Sequence, residues 1–231
     1  MSTLSPTLHT LAALLEYPGS EFEARLTAAK AFAPLARFCT AMSELTHDER
    51  EELYTGTIDV IPACVAYVSI HLFGEENFKR GEFMAGLHAR YQQAGFSPAG
   101  ELPDHLSVLL RFAAQIEDSE RRELVEFCLL GPIGKMIAAL NEANPYRTLL
   151  EGVRETLQIA YPGLQPALSP VEQMRLHGGS CATVTAGCGC GAVRTEEGQN
   201  PPRIQNGPND DHEPDEALAS AQPGRTPLSN L

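Results

Sequence analysis

Helical periodicity of apolar residues constrains the fold of this chain more than any other feature. Leu8, Leu11, Leu14 and Leu15 recur at spacings of three and four residues, which places them on one face of an α-helix. Similar stripes follow along the chain, while patterns typical of strands are weak. We therefore predict an all-α fold, with a single domain of about eight or nine helices joined by short loops. The later stripes are Phe83, Leu87 and Tyr91; Leu106, Leu109, Leu110 and Ala113; Leu124, Phe127, Cys128 and Leu130; and Leu149, Leu150, Val153 and Leu157.

Several helix ends carry their own signals. Ser20 to Glu23 and Thr46 to Glu49 both fit the capping box, in which a hydroxyl and a carboxylate bond free amides at a helix start. A long helix is predicted over residues 76–94, and Gly95 follows it where a left-handed C-terminal cap is favoured.

The composition changes near residue 165. The last aromatic residue is Tyr161, and residues 171–231 hold eight glycines and six prolines. Such a segment buries too little apolar surface to offset the entropy lost on ordering. The sequence therefore predicts a helical domain over residues 1–165 and an acidic, disordered C-terminal tail with Gly, Pro and Cys over residues 166–231.

The charge balance argues against several classes of partner. The chain of 231 residues has 17 Lys and Arg against 30 Asp and Glu, a formal net charge of -13. Nucleic-acid binding depends largely on basic side chains that neutralise phosphates, so a nucleic-acid partner is not expected. No apolar run reaches the roughly 18–20 residues of a membrane span, and no secretory signal begins the chain. We expect a cytoplasmic protein without direct membrane insertion.

Common catalytic motifs are missing from the sequence. It has no phosphate-binding P-loop, no dinucleotide fingerprint, no H-E-x-x-H helix and no G-x-S-x-G elbow. An acidic helical domain of this kind favours a binding module over an enzyme, with no catalytic residue and no cofactor predicted. One enzymatic alternative stays open, an acid–base pair formed by His71 and Glu101.

The stretch from Tyr54 to Asp59 and the helix after it carry polar candidates. Asp59 either caps the helix that holds Val65, Val68 and Leu72 or provides a carboxylate at the rim of a groove. His71 lies near the end of that helix, before Gly74, where the helix dipole favours it. Arg80 begins the next helix, and its simplest interpretation is a solvated basic residue.

The most unusual stretch runs from Glu101 to Leu106. Two carboxylates, Glu101 and Asp104, flank Leu102 and Pro103 just before an apolar helix. One interpretation is a helix entry, with Pro103 in the first turn and Asp104 favoured by the dipole. The other is an acidic, apolar-edged surface for a basic amphipathic peptide.

Three cysteines lie in the predicted tail. Cys181, Cys188 and Cys190, with His177 upstream, offer thiolates for a soft metal, although their spacing is not that of paired C-x-x-C motifs. The alternatives are a metal or iron–sulfur accessory protein and a flexible tail with incidental thiols. The remaining cysteines, Cys39, Cys64 and Cys128, lie on apolar faces and are predicted to be core residues.

Seven short motifs stand out along the chain: Leu14 to Pro18, Tyr54 to Asp59, Ile70 to Glu75, Lys79 to Gly81, Tyr91 to Gly95, Glu101 to Leu106 and Asn144 to Tyr146. Together they resemble the redox-enzyme maturation chaperones, and within them the nitrate reductase molybdenum cofactor assembly chaperones. The motifs occur in the family's order and spacing over roughly residues 11–160. Two segments depart from the family pattern: Ile58 replaces an aromatic residue, and Ser107–Val108 replaces a proline followed by an aliphatic residue.

The resemblance implies a cytosolic, helical, non-catalytic chaperone. Such chaperones bind the N-terminal segment of the catalytic (alpha) subunit of a membrane-associated nitrate reductase or a related molybdoenzyme. They hold that subunit for molybdenum cofactor insertion and complex assembly, and we expect a monomer or weak dimer. The residues expected to bind the client segment are Tyr54, Asp59, His71, Arg80, Glu101, Pro103, Asp104 and Leu106.

Overall fold

The computed structural model describes residues 4–59 and 62–178, and the regular secondary structure of these residues is helical. Within these residues the only β-type pairing is one isolated bridge, between Tyr67 and His105. The predicted all-α class is confirmed. The α-helices are α1 (Leu4–Leu14), α2 (Phe22–Ala29), α3 (Ala36–Ser43), α4 (His47–Thr57), α5 (Val68–Phe73), α6 (Lys79–Gln93), α7 (Leu106–Gln115), α8 (Asp118–Leu124), α9 (Leu130–Ala139), α10 (Pro145–Ala160) and α11 (Pro170–Gly178).

Two short helical segments of other types join these elements. A 3-10 turn, Ala33–Leu35, leads directly into α3, and a π-helical segment, Val125–Leu129, connects α8 to α9 without a break. The described residues therefore contain ten separate helices, close to the predicted number. The Glu126 carbonyl in the π-helical segment accepts a hydrogen bond from the Ala167 amide at 3.0 Å, which ties the chain after α10 to this segment.

The core forms where the striped faces of the helices meet. Helix α1 packs along α7, and α10 packs against α9, α3 and the 3-10 turn. Leu11, Leu109 and Val153 are fully buried in one continuous apolar cluster. Because a fully buried aliphatic side chain stabilises the fold by about 1.5–3 kcal/mol, the predicted stripes supply most of the driving force for folding.

One of the two predicted capping boxes is present. Thr46 accepts from the Glu49 amide, and the Glu49 carboxylate accepts from the Thr46 amide at 2.8 Å, as predicted for the start of α4. The box at Ser20 is wrong, because α2 begins at Phe22 after a tight turn and its cap residue, Glu21, makes no side-chain cap. Glu23 pairs instead with the buried Arg50.

Two glycines have roles that require the absence of a side chain. Gly95 follows Ala94, the C-cap residue of α6, and has φ +64°, which confirms the predicted left-handed position. Gly152 lies where α10 meets the 3-10 turn, and a Cβ atom there would come within 2.7 Å of Leu35 and 2.9 Å of the Pro34 carbonyl. The close contact of these two elements therefore depends on Gly152.

Helix α11 lies beyond the domain boundary predicted at residue 165. It begins with a capping box, in which Glu172 accepts from the Ser169 amide at 2.7 Å and the Glu172 amide donates to the Ser169 hydroxyl at 3.3 Å. Glu172 also pairs with Lys135 of α9 at 3.1 Å. Helical structure thus continues past the predicted start of the tail, and the tail from residue 179 onward lies outside the described residues.

Candidate functional site

Three of the predicted binding residues, Tyr54, Asp59 and Glu101, line one cleft of about 510 Å³. They come from separate places in the sequence, namely the last turn of α4, the chain just after α4, and the loop between α6 and α7. We call this feature the acidic cleft. Its other lining residues are Glu16, Tyr17, Ala99, Gly100, His105, Ser107 and Arg111.

Aromatic packing fixes one wall of the acidic cleft. The ring of Tyr54 meets the ring of Tyr17 edge to face, with centroids 5.5 Å apart, and meets Tyr146 at 6.1 Å. Asp59 is exposed and lies well before α5, whose cap residue is Tyr67. The interpretation of Asp59 as a helix cap is therefore wrong, and its place at the rim of a cleft agrees with the alternative.

The loop that carries Glu101 is fastened to α5 by backbone pairing. The Val68 amide donates to the Asp104 carbonyl at 2.9 Å, and the Leu106 amide donates to the Ala66 carbonyl at 2.9 Å. The Tyr91 hydroxyl also donates to the Pro103 carbonyl at 2.6 Å. Pro103 thus contributes an anchor for the loop through its carbonyl and is not part of the cleft lining.

His105 caps helix α7 from the floor of the acidic cleft. Its Nδ1 atom accepts from the Ser107 amide at 3.3 Å and lies 2.7 Å from the Ser107 hydroxyl. Because Nδ1 is an acceptor, a neutral His105 carries its proton on Nε2. Burial lowers the pKa of His105, against the opposing effect of the nearby Glu101 and Asp104 carboxylates. Helix α7 begins at Leu106, directly after this stretch, so the prediction that Pro103 lies in its first turn is wrong and Asp104 lies just before the cap residue.

Asp104 lies inside the protein and cannot form the rim of a groove. Its exposed fraction is 0%, and its Oδ2 atom accepts from both the amide and the hydroxyl of Ser69. Arg80 donates from Nε to the same hydroxyl at 3.0 Å and from Nη1 to the Glu75 carbonyl at 2.7 Å. Arg80 is therefore half-buried and hydrogen-bonded, so its interpretation as a solvated residue is wrong. We call Asp104, Ser69 and Arg80 the buried network.

Two further predicted binding residues, Leu106 and His71, are held by contacts within the protein. Leu106 is fully buried in the core. Since a carbonyl can only accept, His71 donates from Nε2 to the Val65 carbonyl at 2.8 Å, and Lys135 donates to the His71 carbonyl at 2.9 Å. Burial is the main cause that lowers the pKa of His71. Glu101 instead accepts from the Leu102 amide and lines the acidic cleft, so the structure does not join these side chains as an acid–base pair.

The acidic cleft carries more negative than positive charge. Glu16 pairs with Arg25 at 3.1 Å and with Arg111 at 3.2 Å, whereas Asp59 and Glu101 form no ion pair with any residue in the described ranges. Burial raises the pKa of Tyr54 to about 12, and the Asp59 and Glu101 carboxylates add to this shift. A cationic group is the ligand type that this arrangement favours.

A second groove of about 310 Å³ lies between α6 and the π-helical segment. We call it the apolar groove, because Phe83, Leu87, Leu124 and Phe127 supply most of its wall. Phe127 is 55% exposed. The two grooves share no lining residue, so the acidic and apolar features expected on one surface line two different grooves.

The part of the chain that the structure describes contains no group of three or more His, Cys, Asp and Glu side chains suited to a metal ion. Cys181, Cys188 and Cys190 lie outside that part, and His177 belongs to α11. Cys39 and Cys64 are buried, and Cys128 is half-buried against the core, as predicted. Among the same residues, no helix has both the length and the apolar character needed to cross a membrane.

Seven of the ten residues that line the acidic cleft are not among the predicted binding residues. Tyr17, His105 and Arg111 are the largest of them. A signal was available for His105, because it stands immediately before the apolar stripe of α7, where a cap residue is expected. Arg111 carries no such signal, since its position follows only from the packing of α7 beside the end of α1.

Comparison with known proteins identifies the family of the chain. The family model for the nitrate reductase delta subunit matches residues 23–146, more than half of the chain. The chain is also 31% identical over 131 residues to the probable nitrate reductase molybdenum cofactor assembly chaperone NarJ of Bacillus subtilis (strain 168). That alignment covers 52% of this chain and 71% of the relative. This chain therefore belongs to the nitrate reductase delta subunit family.

Proposed function

We propose that this protein is an assembly chaperone that binds the N-terminal segment of the catalytic subunit of a nitrate reductase or a related molybdoenzyme. It holds that subunit for molybdenum cofactor insertion and complex assembly. Family membership supports the general role. The observation that carries the choice of site is that Tyr54, Asp59 and Glu101, distant in sequence, line one cleft.

The charges of the acidic cleft suit a basic peptide. Asp59 and Glu101 are free of ion pairs with the described residues, so a Lys or Arg side chain of the client would face carboxylates that are not already neutralised. Complementary charge of this kind speeds encounter and fixes the register of the bound peptide. In this role the chain acts in the cytoplasm as a monomer or weak dimer, without a cofactor or catalytic residue of its own.

The magnitudes allow a chaperone that both holds and releases its client. A client segment that buried about 500 Å² of apolar surface on the whole chaperone would gain roughly 12 kcal/mol. Ordering the peptide and losing its free motion remove several kcal/mol. The remainder, about -8 kcal/mol, corresponds to micromolar affinity.

Fluorescence anisotropy with a labelled peptide from the N-terminus of the catalytic subunit tests the proposal. We expect saturable binding by the wild-type chain, and about tenfold weaker binding by Asp59→Lys and by Glu101→Lys, because each variant places like charge against the peptide. Glu142→Lys is the matched control, since Glu142 is an exposed carboxylate between α9 and α10.

Two results would contradict the proposal at different levels. Failure of the wild-type chain to bind the peptide would exclude the client assignment. Normal binding by both cleft variants would exclude the acidic cleft as the binding site while leaving the chaperone role in place. Thermal melts of each variant show whether any loss of binding reflects a loss of folding.

A further inference from the structure

We propose that the chain after α10 forms a strap, residues 167–178, which holds α5 in place and thereby keeps the loop that carries Glu101 ordered. This inference rests on the proposed function, because that loop lines the acidic cleft, and it adds a means by which client binding is regulated. With the strap docked, the cleft has its binding form. Release of the strap loosens the loop and lowers the affinity for the client.

The strap contacts three elements of the domain. The Ala167 amide donates to the Glu126 carbonyl of the π-helical segment at 3.0 Å. Glu172 pairs with Lys135 of α9 at 3.1 Å, and α11 packs beside α5. The strap is therefore anchored both where it begins and within α11.

Helix α11 is too weak to hold this position by itself. It has nine residues, and isolated helices shorter than about 12–15 residues are marginal in water. None of its described side chains, residues 170–176, is buried, and Leu176 is 68% exposed. Since docking removes little apolar surface from water, the polar anchors supply a large part of the contact between the strap and the domain.

Lys135 joins the strap to the end of α5. Its Nζ atom lies 3.1 Å from Glu172 Oε1 and donates to the His71 carbonyl at 2.9 Å. His71 is in the last turn of α5, where carbonyls have no partner within the helix and a cation complements the helix dipole. One ammonium group therefore serves both contacts. Loss of Glu172 frees Lys135 to move into solvent and leave the His71 carbonyl.

Helix α5 in turn holds the loop that carries Glu101. It has six residues, so its order depends on the groups around it. The Val68 amide donates to the Asp104 carbonyl at 2.9 Å, and Ser69 donates to the Asp104 carboxylate. A continuous series of contacts thus runs from the strap through Lys135 and α5 to Asp104, in the same short loop as Glu101.

The ion pair suits a strap that docks and releases. Glu172 and Lys135 are each 40% exposed, and a pair of this kind shifts an equilibrium by no more than about fivefold. Hydrogen bonds from Ser169 and Lys135 lower the pKa of Glu172 to about 2, so the carboxylate stays charged at neutral and mildly acidic pH. Ionic strength, and not pH, is therefore the condition that weakens this anchor.

Hydrogen exchange measured by NMR on the full chain tests the strap without a client. Glu172→Gln removes the charge and keeps a capping-box acceptor, and Lys135→Met removes both contacts of the ammonium group. In each variant we expect the α11 amides and the Val68 amide to exchange about threefold faster than in the wild type. Glu120→Gln is the matched control, because it removes a similarly exposed ion pair, with Arg90, and should leave both regions unchanged.

Two exchange results would overturn the strap. If the α11 amides exchange faster while the Val68 amide does not, the strap does not hold α5. If neither region changes, the ion pair contributes nothing to docking. Thermal melts identify any general loss of folding in Lys135→Met, and Glu172→Gln, at a partly exposed position on α11, is then the deciding variant.

Client binding is measured on the same proteins by fluorescence anisotropy. We expect Glu172→Gln to bind the N-terminal client peptide about threefold more weakly, and Glu120→Gln to bind it as the wild type does. Equal binding by the two variants, despite faster exchange of the Val68 amide in Glu172→Gln, would overturn the regulatory role. If the wild-type chain does not bind the peptide, the proposed function fails and the regulatory role with it, whereas the exchange measurements still decide whether the strap holds α5.

Discussion

Asp104 and Glu101 are carboxylates in the same short segment, but they lie in opposite environments. Asp104 is fully buried and accepts two hydrogen bonds from Ser69, within the buried network that Arg80 completes. Glu101 is exposed in the acidic cleft and has no ion pair with a described residue. The same chemical group, a carboxylate, therefore stabilises the fold at one position and is available to a ligand at the other.

The difference shows how a protein can keep a negative site without weakening its core. The buried network uses Oδ2 of its carboxylate to join α5, the start of α6 and the loop before α7, while Oδ1 has no hydrogen-bond partner among the described residues. The acidic cleft keeps Asp59 and Glu101 in contact with solvent, where the cost of unpaired charge is small. Substitutions should thus affect stability in one region and client binding in the other.

The largest expected effect is that of Asp104→Ala on stability. Removal of the carboxylate leaves the buried amide and hydroxyl of Ser69 without an acceptor, and unsatisfied buried groups cost about 1–3 kcal/mol each. We expect the free energy of unfolding, measured by urea denaturation, to fall by about 3 kcal/mol. A fall below about 0.5 kcal/mol, the range of ordinary surface changes, would show that the buried network does not hold the loop.

The next largest effect is expected in the acidic cleft, where a double variant should weaken client binding and leave stability unchanged. The double variant Asp59→Asn, Glu101→Gln should keep its free energy of unfolding within about 0.5 kcal/mol of the wild type, because both side chains are exposed. The same variant should bind the client peptide about tenfold more weakly, which is about 1.4 kcal/mol. Urea denaturation and fluorescence anisotropy on one protein preparation measure both quantities, and a loss of stability equal to the loss of binding would erase the distinction between the regions.

Ser69→Ala should have a smaller effect on stability than Asp104→Ala. The Ser69 hydroxyl donates to Asp104 and accepts from Arg80, while the Ser69 amide keeps its bond to Asp104 in the variant. We expect a loss of about 1 kcal/mol by urea denaturation. Because both substitutions break the same hydrogen bond, the double variant with Asp104→Ala should lose less than the sum of the single losses. Strict additivity would mean that the two side chains act independently.

Local patterns were sufficient for most of the helices. The leucine stripe of α1 and the capping box at Thr46 depend only on neighbours within a turn or two, and both are present in the structure. The box at Ser20 is absent because α2 begins one residue later than the box requires, at Phe22, and the Glu23 carboxylate pairs with Arg50 from elsewhere in the chain. Helix α11 was missed although Ser169, Pro170 and Glu172 form a recognisable start signal, because the apolar stripe after it is weak.

The candidate site was less predictable, since it depends on contacts between distant segments. Nothing near Asp104 in the sequence distinguishes it from Glu101, and its burial results from pairing with residues 66–69. Asp59 is exposed, in contrast to the buried Asp104, because α5 begins only at Val68 and leaves Asp59 outside the helix. Sequence alone could therefore nominate the acidic residues, but the division between core and cleft required the packing of α5 against the loop before α7.

The smallest expected effect is a pH dependence of stability that links the two regions through His105. Burial lowers the pKa of His105 and of His71 below the usual value of 6.5, so the unfolded chain binds protons that the folded chain resists. The free energy of unfolding should therefore be at its full value above pH 6.5 and fall as the pH drops through the lowered pKa values.

Protonation of His105 would also place a hydrogen on Nδ1, where the Ser107 amide now donates. The charged groups around His105 are Glu16, Glu101, Asp104 and Arg111. His105→Asn keeps a cap acceptor but does not titrate, so urea denaturation between neutral and acidic pH should give a shallower decline for this variant than for the wild type. His71→Gln is the matched comparison outside the acidic cleft: if it alone flattens the decline, the His105 cap is not sensitive to pH, and if each variant removes part of the slope, both buried histidines contribute.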